Sequence, residues 1–423
     1  MDYSVVLYNN FEQKRSACIV DADHLPVCFF LNNHISLSFS DRAENTKYTY
    51  AKVLLFVYRY FESESISLPE RVSTGRFLSI EEYENFKHHC KYKVDADSNQ
   101  SDKNVVSFTK FSDKQLDNLI YSSQASADRV SASTLKMRLK RFLGYMQYLY
   151  EKYHLANNAP TKVASNFNDL ERKVKSDIES IKDDNTDVRD PFEKSIPDDI
   201  YFKMLEVIKP NSPENPWKNS RLRNQLIIDI FNETGIREGA LAKLKISDIK
   251  EDWHNPRLMI TRTPNDPTDN RRIKAAQKTK AHSSAISPEL LKLLKLYINT
   301  VRKEHPSSVK HDFVFISEKG KTSGAPLSIN SIYNVIRTLG DYLNFKLHPH
   351  ILRHKWNELF DDRATQAGYT MEQIEDIRKY AMGWTENSKM SSIYNNYKHA
   401  MKVHELSLQR QKDFMPDGVN NEI

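Results

Sequence analysis

The sequence has few cysteines and glycines and no long apolar run, and each absence excludes a class of protein. Its three cysteines, Cys18, Cys28 and Cys90, have no CxxC spacing, so we expect free thiols in a reducing compartment and no disulfide framework. Only 10 glycines in 423 residues argue against a collagen-like or glycine-rich disordered chain. No apolar run approaches the ~18 residues of a membrane span, and the N-terminus lacks a signal-peptide pattern. We therefore expect a soluble, cytoplasmic protein.

The charge balance is nearly even and the chain is long. Lys and Arg number 62 against 56 Asp and Glu, a net charge of +6, so a nucleic-acid surface would have to come from local clusters of basic residues. The composition, with 39% hydrophobic residues, is that of a folded, helix-rich protein. Because one core rarely exceeds roughly 250 residues, we expect two or three domains.

The N-terminal part predicts a strand-bearing arm followed by helices. Residues 1–40 contain two short β-prone runs, at 4–8 and 26–31, separated by polar turns. Dense apolar residues predict a buried helix over 46–62, and Ser79 is placed as the N-cap of a second helix.

A third helix is predicted from Thr134 to Tyr153, because apolar residues recur there at spacings of three and four behind Ser133 as N-cap. Its early turns are also basic. The basic face is either a phosphate-binding surface or an ordinary solvated face, and the sequence leaves both open. The residues concerned are Lys136, Arg138, Lys140 and Arg141.

The rest of the chain predicts a linker and a mixed domain. Residues 157–196 are polar and read as a linker with a short helix over 170–181, and 197–411 alternate helical patterns with two strand-like stretches, RLMITR and DFVFIS. Residues 412–423 form a tail. HExxH, GxSxG and clustered Cys and His patterns are absent from the sequence.

Two segments place basic residues where they can hold an anion. TGIREGAL puts Arg237 near the start of a helix whose apolar side enters the core. HPHILRH places His350 and Arg353 three residues apart, on one face of a helix that begins there, so that both can converge on one anion. Taken singly, each of these residues is more often structural than functional.

A third segment, MGWTENSKMSSIYNNYK, places Trp384 in a turn and Tyr394 and Tyr397 beyond it. With 21 tyrosines in the chain, either tyrosine alone means little. The order and spacing of the three segments, however, closely resemble the three boxes of the tyrosine recombinase (phage integrase) family. The motifs cover about residues 195–400, and the helices before them resemble the core-binding domain of that family.

The resemblance implies a fold that is mainly α with a small β component: a helical, SAM-like core-binding domain over 41–156 and a mixed α+β catalytic domain over 197–411. It implies a site-specific recombinase or integrase of a mobile element that works through a 3′-phosphotyrosyl intermediate, without a metal, a cofactor or ATP. The implied partners are double-stranded DNA carrying a recombination site, three further copies in a homotetramer, and accessory DNA-bending or directionality proteins. On DNA, the protein would associate with the bacterial nucleoid.

The resemblance also implies the catalytic residues. Tyr394 is the favoured nucleophile because Met390 keeps the familiar four-residue step to the tyrosine. Tyr397 is the alternative, since Tyr397-Lys398-His399 matches the common Tyr-x-His ending. The other catalytic positions implied by the resemblance are Arg237, Lys278, His350, Arg353 and Trp384.

The catalytic lysine has two candidates, Lys278 and Lys280. The family has a lysine in a turn between two strands, and Lys278-Thr279, eight residues before Ile286, fits best, with Lys280 in reserve. The segment is rich in positive charge and also fits a loop that grips phosphate. The phosphate-binding candidates in it are Arg271, Arg272, Lys274 and Lys280.

One position departs from the family pattern. Three residues after the first arginine the family usually has an acid, whereas this chain has Ala240, so another residue would have to support Arg237. Ala240 favours one alternative, a DNA-binding protein with a decayed site. A second alternative is a type IB topoisomerase, which uses the same tyrosine chemistry.

Overall fold

The computed structural model describes residues 2–9, 15–94, 129–154, 159–182, 195–252, 254–263, 266–386, 388, 400 and 402–411. The chain divides into two units, Met1–Val188 and Arg189–Ile423, and each contains a large apolar core of its own. Within the described ranges, none of the helices combines the length and the apolar character that crossing a bilayer requires.

In the residues that the structure describes, the first unit contains a hairpin and six helices. The hairpin strands are antiparallel, with Ser4 opposite Val20. The described elements are β1 (Ser4–Asn9), β2 (Arg15–Val20), α1 (Phe29–Ser38), α2 (Glu44–Ser63), α3 (Leu68–Ser73), α4 (Ile80–His89), α5 (Ala132–His154) and α6 (Thr161–Ser180).

The β-prone reading of residues 26–31 is wrong. Apart from a single bridge between Val20 and Pro26, the second run enters α1, which buries Leu31 and Ile35 on one side. A short apolar run carries no period that separates a strand from a buried helix turn. Strands β1 and β2 and helix α1 share one core with α2 and α5, so residues 1–40 pack into the helical unit.

Helix starts in this unit follow their capping chemistry. Ser79 is confirmed as an N-cap: its hydroxyl accepts from the backbone N of Glu82 at 3.1 Å, and the Glu82 carboxylate accepts from the backbone N of Ser79 at 2.7 Å. The predicted cap Ser133 is wrong, because α5 begins at Ala132 and the hydroxyl of Ser131 accepts from the Thr134 backbone N at 3.3 Å.

The segment read as a linker contains the 20-residue helix α6, longer than the predicted helix over 170–181. Its Phe167 and Val174 are buried, and the Phe167 ring stacks on that of Tyr150 with centroids 4.0 Å apart. Charged residues on its outer face hide this packing in the sequence. Much of the polar segment therefore belongs to the first unit.

The second unit has seven helices named here and a three-stranded antiparallel sheet in the order β3-β4-β5. The predicted strand RLMITR is confirmed as β4, whereas DFVFIS forms only isolated bridges, from Phe313 to Lys245 and from Ile316 to Pro326. The elements are α7 (Asp198–Val207), α8 (Arg221–Thr234), α9 (Glu238–Lys243), β3 (Ile249–Lys250), β4 (Arg257–Ile260), β5 (His282–Ala285), α10 (Pro288–Asn299), α11 (Ile329–Tyr342), α12 (Pro349–Gln366) and α13 (Met371–Ala381).

Helices dominate both units, and the sheets are small. The prediction of a mainly α protein with a small β component is confirmed. A further helical stretch over 402–411 follows the named elements.

Candidate active site

The first box lies where α8 ends and α9 begins. Gly235 ends α8 in a left-handed conformation, with φ of 58°, which suits glycine. A Cβ at this glycine would lie 2.8 Å from the Trp356 ring, so the turn is also sterically closed to larger residues. Arg237 is the N-cap of α9. The Arg237 side chain therefore projects from a helix start whose position is set by the turn at Gly235.

The second box opens α12. His348 is the N-cap, and its Nδ1 accepts from the Ile351 backbone N at 3.2 Å. Arg353 is only 2% exposed: it donates to the carbonyl of Gly235 at 2.5 Å and to the carbonyl of Met382 at 3.3 Å. His350, in the first turn, is exposed. Arg353 thus joins the second box to the first and the third.

The third box is the turn after α13. Gly383 has φ of 61°, and Trp384, 6% exposed, donates its backbone N–H to the Lys379 carbonyl at 2.9 Å. The indole ring centroid lies 5.8 Å from the guanidinium carbon of Arg353, within the range of a cation–π contact. The indole of Trp384 therefore lies near the guanidinium of Arg353.

A buried ion pair fixes the second box relative to the third. Arg378 of α13 donates to the Asp361 carboxylate of α12, and Arg378 is 1% exposed. Nearby, the side-chain amide of Asn357 donates to the Arg353 carbonyl at 2.8 Å. The ion pair was not found from the sequence, because its two partners lie on different helices.

The loop before β5 lies against the first and third boxes. A Cβ at Gly239 would meet the Ala276 carbonyl oxygen, so the loop approaches the backbone of α9 closely. The backbone N of Lys280 donates to the Gly383 carbonyl at 2.8 Å. Lys278 and Lys280, the two lysines predicted for catalysis, are both exposed.

His282, which the sequence analysis did not single out, lies beside the cationic residues. The pKa of its imidazole is lowered by burial and, further, by the guanidiniums of Arg353 and Arg237, while the hydrogen bond with the Lys280 carbonyl opposes the shift. The only sequence signal was its place in the basic segment, where lysines alone were considered. Among the described residues, no group of three or more His, Cys, Asp or Glu is arranged to hold a metal.

Two of the basic residues predicted to bind phosphate have structural partners instead. Arg138 is buried: its NH1 donates to the Cys90 and Tyr92 carbonyls at 2.9 and 2.6 Å, and its guanidinium carbon lies 3.8 Å from the Phe56 ring centroid. The hydrogen bonds to these carbonyls explain why an arginine occupies this position. We therefore drop Arg138 from the phosphate-binding set.

Arg271 is also occupied by the protein itself. It makes two hydrogen bonds of 2.8 Å to the Asp269 carboxylate and donates to the carbonyls of Ala242 and Leu327. We drop it from the phosphate-binding set as well. The other candidates are exposed or half-buried: Lys136, Lys140, Arg141, Arg272, Lys274 and Lys280.

Two further predictions concern other positions. Ala240, where the family has an acid, is 4% exposed and part of the apolar core, and its backbone N donates to the Arg237 carbonyl at 2.9 Å. Tyr394 and Tyr397 lie outside the described residues, so the choice of nucleophile stays a prediction.

Comparison with known proteins points to one family. Residues 201–401 match the phage integrase family. Transposase A of transposon Tn554 from Staphylococcus aureus is 31% identical over 133 residues, which are 31% of this chain and 34% of the transposase. The tyrosine recombinase XerC of Shewanella sp. (strain ANA-3) is 25% identical over 228 residues, 52% of this chain and 62% of XerC. The chain thus spans about a third of the length of the first relative.

Solved structures of the same kind resemble the chain at lower similarity. The XerH site-specific recombinase bound to difH substrate, in a pre-cleavage complex, gives a TM-score of 0.45 at 16% identity and covers 88% of this chain and 94% of its own. The Tn1549 transposon integrase in complex with circular intermediate DNA gives 0.45 at 13%, with 87% and 94% covered. Residues 201–401 of the chain thus match the phage integrase family, and a tyrosine recombinase is among the relatives that align with the chain.

Proposed function

We propose that the protein cleaves and rejoins DNA strands at a specific site through a covalent 3′-phosphotyrosyl intermediate, as the recombinase of a mobile element. The observation that carries the proposal is the position of Arg353, whose guanidinium donates to Gly235 of the first box and to Met382 of the third. Residues far apart in the sequence thereby surround one buried positive charge.

The cationic pocket matches the needs of phosphoryl transfer. A DNA phosphodiester is anionic and repels an oxygen nucleophile, so fixed positive charge must offset the charge on the phosphate. Arg237 and Arg353 would hold the nonbridging oxygens through bidentate hydrogen bonds and stabilise the pentacoordinate transition state. The Trp384 ring centroid lies 5.8 Å from the guanidinium carbon of Arg353, so the indole would limit the access of water to that group.

The nucleophile in this proposal is Tyr394. A phenol has an ordinary pKa of about 10, and a cationic pocket favours the phenolate. As the phenolic oxygen bonds to phosphorus, His350 takes the phenolic proton and the bond from phosphorus to the 5′-oxygen breaks. Lys278 would donate a proton to this leaving oxygen, which gives the 5′-hydroxyl. The tyrosyl ester keeps the energy of the broken bond, so rejoining by a 5′-hydroxyl requires no ATP.

The partners in this proposal are duplex DNA and further copies of the chain. A transposase among the relatives and a DNA-bound transposon integrase among the solved structures support a mobile-element role on DNA. Lys136 and Lys140 of α5 would contact phosphate. The helical stretch over 402–411 carries Val403 and Leu406, which are 63% and 66% exposed, and this apolar side supports docking on a neighbouring protomer in a tetramer.

A nicked suicide duplex, built from the DNA that flanks the gene, tests the function. The protein is incubated with it in EDTA and without ATP, and a denaturing gel then resolves the products. We expect a protein–DNA adduct that leaves a free 5′-hydroxyl. Binding of the duplex without an adduct would favour the decayed DNA-binding protein, whereas relaxation of supercoiled plasmid by a monomer, without strand exchange, would favour a topoisomerase.

A further inference from the structure

A buried ion pair holds part of the loop between β4 and β5. Asp269 is 1% exposed, and its carboxylate accepts two hydrogen bonds of 2.8 Å from the guanidinium of Arg271. The same carboxylate accepts from the backbone N of Arg271 at 3.1 Å and from the backbone N of Ala275 at 3.3 Å. One buried side chain therefore fixes the course of the loop from Asp269 to Ala275.

Arg271 joins this loop to the helix of the first box. Its Nη1 donates to the carbonyl of Ala242, in α9, at 2.9 Å and to the carbonyl of Leu327 at 2.7 Å. Its guanidinium carbon lies 4.8 Å from the ring centroid of the buried Phe313. Since Arg237 is the N-cap of α9, the ion pair sets the position of the loop relative to the helix that starts at this arginine.

The loop contacts two of the boxes on either side of Lys278. A Cβ on Gly239 of α9 would meet the carbonyl oxygen of Ala276, so the loop lies against the first box there. The backbone N of Lys280 donates to the Gly383 carbonyl of the third box at 2.8 Å. Lys278 therefore lies between two backbone contacts, one with each box.

The two neighbours of Lys278 are packed inward. Gln277 is 9% and Thr279 is 7% exposed, and the side-chain amide of Gln277 donates to the hydroxyl of Thr279. Lys278, between them, is exposed. The packing of its neighbours thus directs the lysine toward solvent, from which DNA would approach.

A buried ion pair is better suited to fixing a geometry than to adding stability. Moving both charges out of water costs about as much free energy as their attraction recovers, so apolar residues of similar volume often stabilise a core equally well. The bidentate pairing of a carboxylate with a guanidinium, by contrast, restricts the orientation of both groups. The contribution of Asp269 and Arg271 is therefore the placement of the loop.

We propose that Asp269, acting through Arg271, is a positioning residue that holds Lys278 at the 5′-oxygen that leaves during strand cleavage; this rests on the cleavage function and the role of Lys278 proposed above. As the bond from phosphorus to the 5′-oxygen breaks, the lysine ammonium donates a proton to that oxygen. The products are a 5′-hydroxyl and a neutral amine, and in rejoining the amine takes the proton back. Asp269 exchanges no proton in this step.

A sulfur substitution in the DNA separates this role from a general structural one. When sulfur replaces the bridging 5′-oxygen at the cleavage site, the leaving thiolate needs no proton, because a thiol has a pKa of about 8.5. A defect in leaving-group protonation then disappears, whereas a defect in folding or in phosphate binding remains. Single-turnover adduct formation is measured at saturating protein with the oxygen and the sulfur duplexes.

We expect Asp269→Asn to form the adduct on the oxygen duplex about 10- to 10²-fold more slowly than wild type, since a shift of about 1 Å in a catalytic group can cost 10²-fold. On the sulfur duplex its rate should return to within about threefold of wild type. Arg271→Lys, which lacks the fork that joins Asp269 to α9, should show the same pattern and replaces Asp269→Asn if that variant does not fold. Lys278→Ala should also be slow on oxygen and recover on sulfur.

Asp361→Asn is the matched control. Asp361 is the carboxylate of a second buried ion pair in this unit, which it forms with Arg378, and this pair joins α12 to α13 rather than the loop to α9. The control variant should therefore be slowed to the same extent on both duplexes.

Three results would overturn this proposal. They are wild-type rates for Asp269→Asn and Arg271→Lys on the oxygen duplex, an equal defect of these variants on both duplexes, and a Lys278→Ala protein that does not recover on sulfur. A wild-type protein that forms no adduct on either duplex is a different result, because it removes the proposed cleavage function itself.

Discussion

Arg353→Lys should lower the rate of covalent adduct formation by about 10³-fold, the size of effect seen when a transition-state hydrogen-bond donor is removed. Lysine keeps the positive charge but lacks the planar fork that reaches both the Gly235 and the Met382 carbonyls. The variant thus loses the bidentate phosphate contact and leaves a buried carbonyl unpaired, which costs about 1–3 kcal/mol of stability. Single-turnover cleavage of the suicide duplex measures the rate.

Arg302→Lys is the matched control, because Arg302 is a buried arginine of the same unit that also donates to carbonyls, those of Phe313, Ser308 and His311. It should reduce the thermal stability to a similar extent but keep a near wild-type cleavage rate at temperatures where circular dichroism shows it folded. Equal cleavage rates for the two variants would mean that Arg353 acts through stability alone.

Gly383→Ala should lower the cleavage rate by at least about tenfold, because a shift of about 1 Å in a catalytic group can cost 10²-fold. The added Cβ would lie 2.6 Å from Nδ1 of His282 and 2.7 Å from the Lys280 carbonyl oxygen, so the turn and the loop before β5 must move apart. The positive φ of 61° adds about 1 kcal/mol of strain.

Gly320→Ala is the control that separates the backbone strain from the steric clash of the added Cβ. Gly320 also has a positive φ, 71°, but a Cβ there meets no atom within 4 Å. Both variants should lose stability in thermal unfolding, while only Gly383→Ala should lose cleavage. A Gly383→Ala protein that cleaves as fast as Gly320→Ala would argue against the close packing of the loop on the third box.

Much of the fold follows from local sequence chemistry. Ser79 and Glu82 form the expected capping box, and the spacing of apolar residues correctly placed α5 to within two residues at its start. The prediction of a strand over residues 26–31 was wrong because an apolar run of that length fits a strand and a helix turn equally well. The core on which α1 packs decides between the two, and it is formed by residues remote in the sequence.

The candidate site, like the fold, could be predicted from the sequence only in part. The three boxes could be identified from the sequence because their spacing reflects backbone geometry: a helix end at Gly235, a helix start at His348 and a turn at Gly383. The hydrogen-bond partners of individual arginines could not be identified from the sequence. Arg138 and Arg271 look like phosphate ligands in the sequence, yet carbonyls from distant segments accept hydrogen bonds from both. Arg271 is also paired with the carboxylate of nearby Asp269.

His282 escaped detection for a related reason. The nearby lysines of the sequence fit the catalytic cation of the family, whereas a histidine at this position does not. The groups that act on its ring, Arg237 and Arg353, come from two helices remote in the sequence. Only the fold shows that the exposed lysines and the half-buried histidine of this segment differ in their surroundings.

The most direct test of the central claim is to find the residue that carries the DNA. The gel-purified adduct is digested with nuclease and trypsin, and the peptide over 390–398, which contains both Tyr394 and Tyr397, is fragmented in a mass spectrometer. We expect a 3′-linked nucleotide on Tyr394, an adduct that disappears in Tyr394→Phe, and an adduct that persists in Tyr397→Phe. A nucleotide on Tyr397 would contradict the assignment of the nucleophile, and one on a residue other than tyrosine would contradict the mechanism.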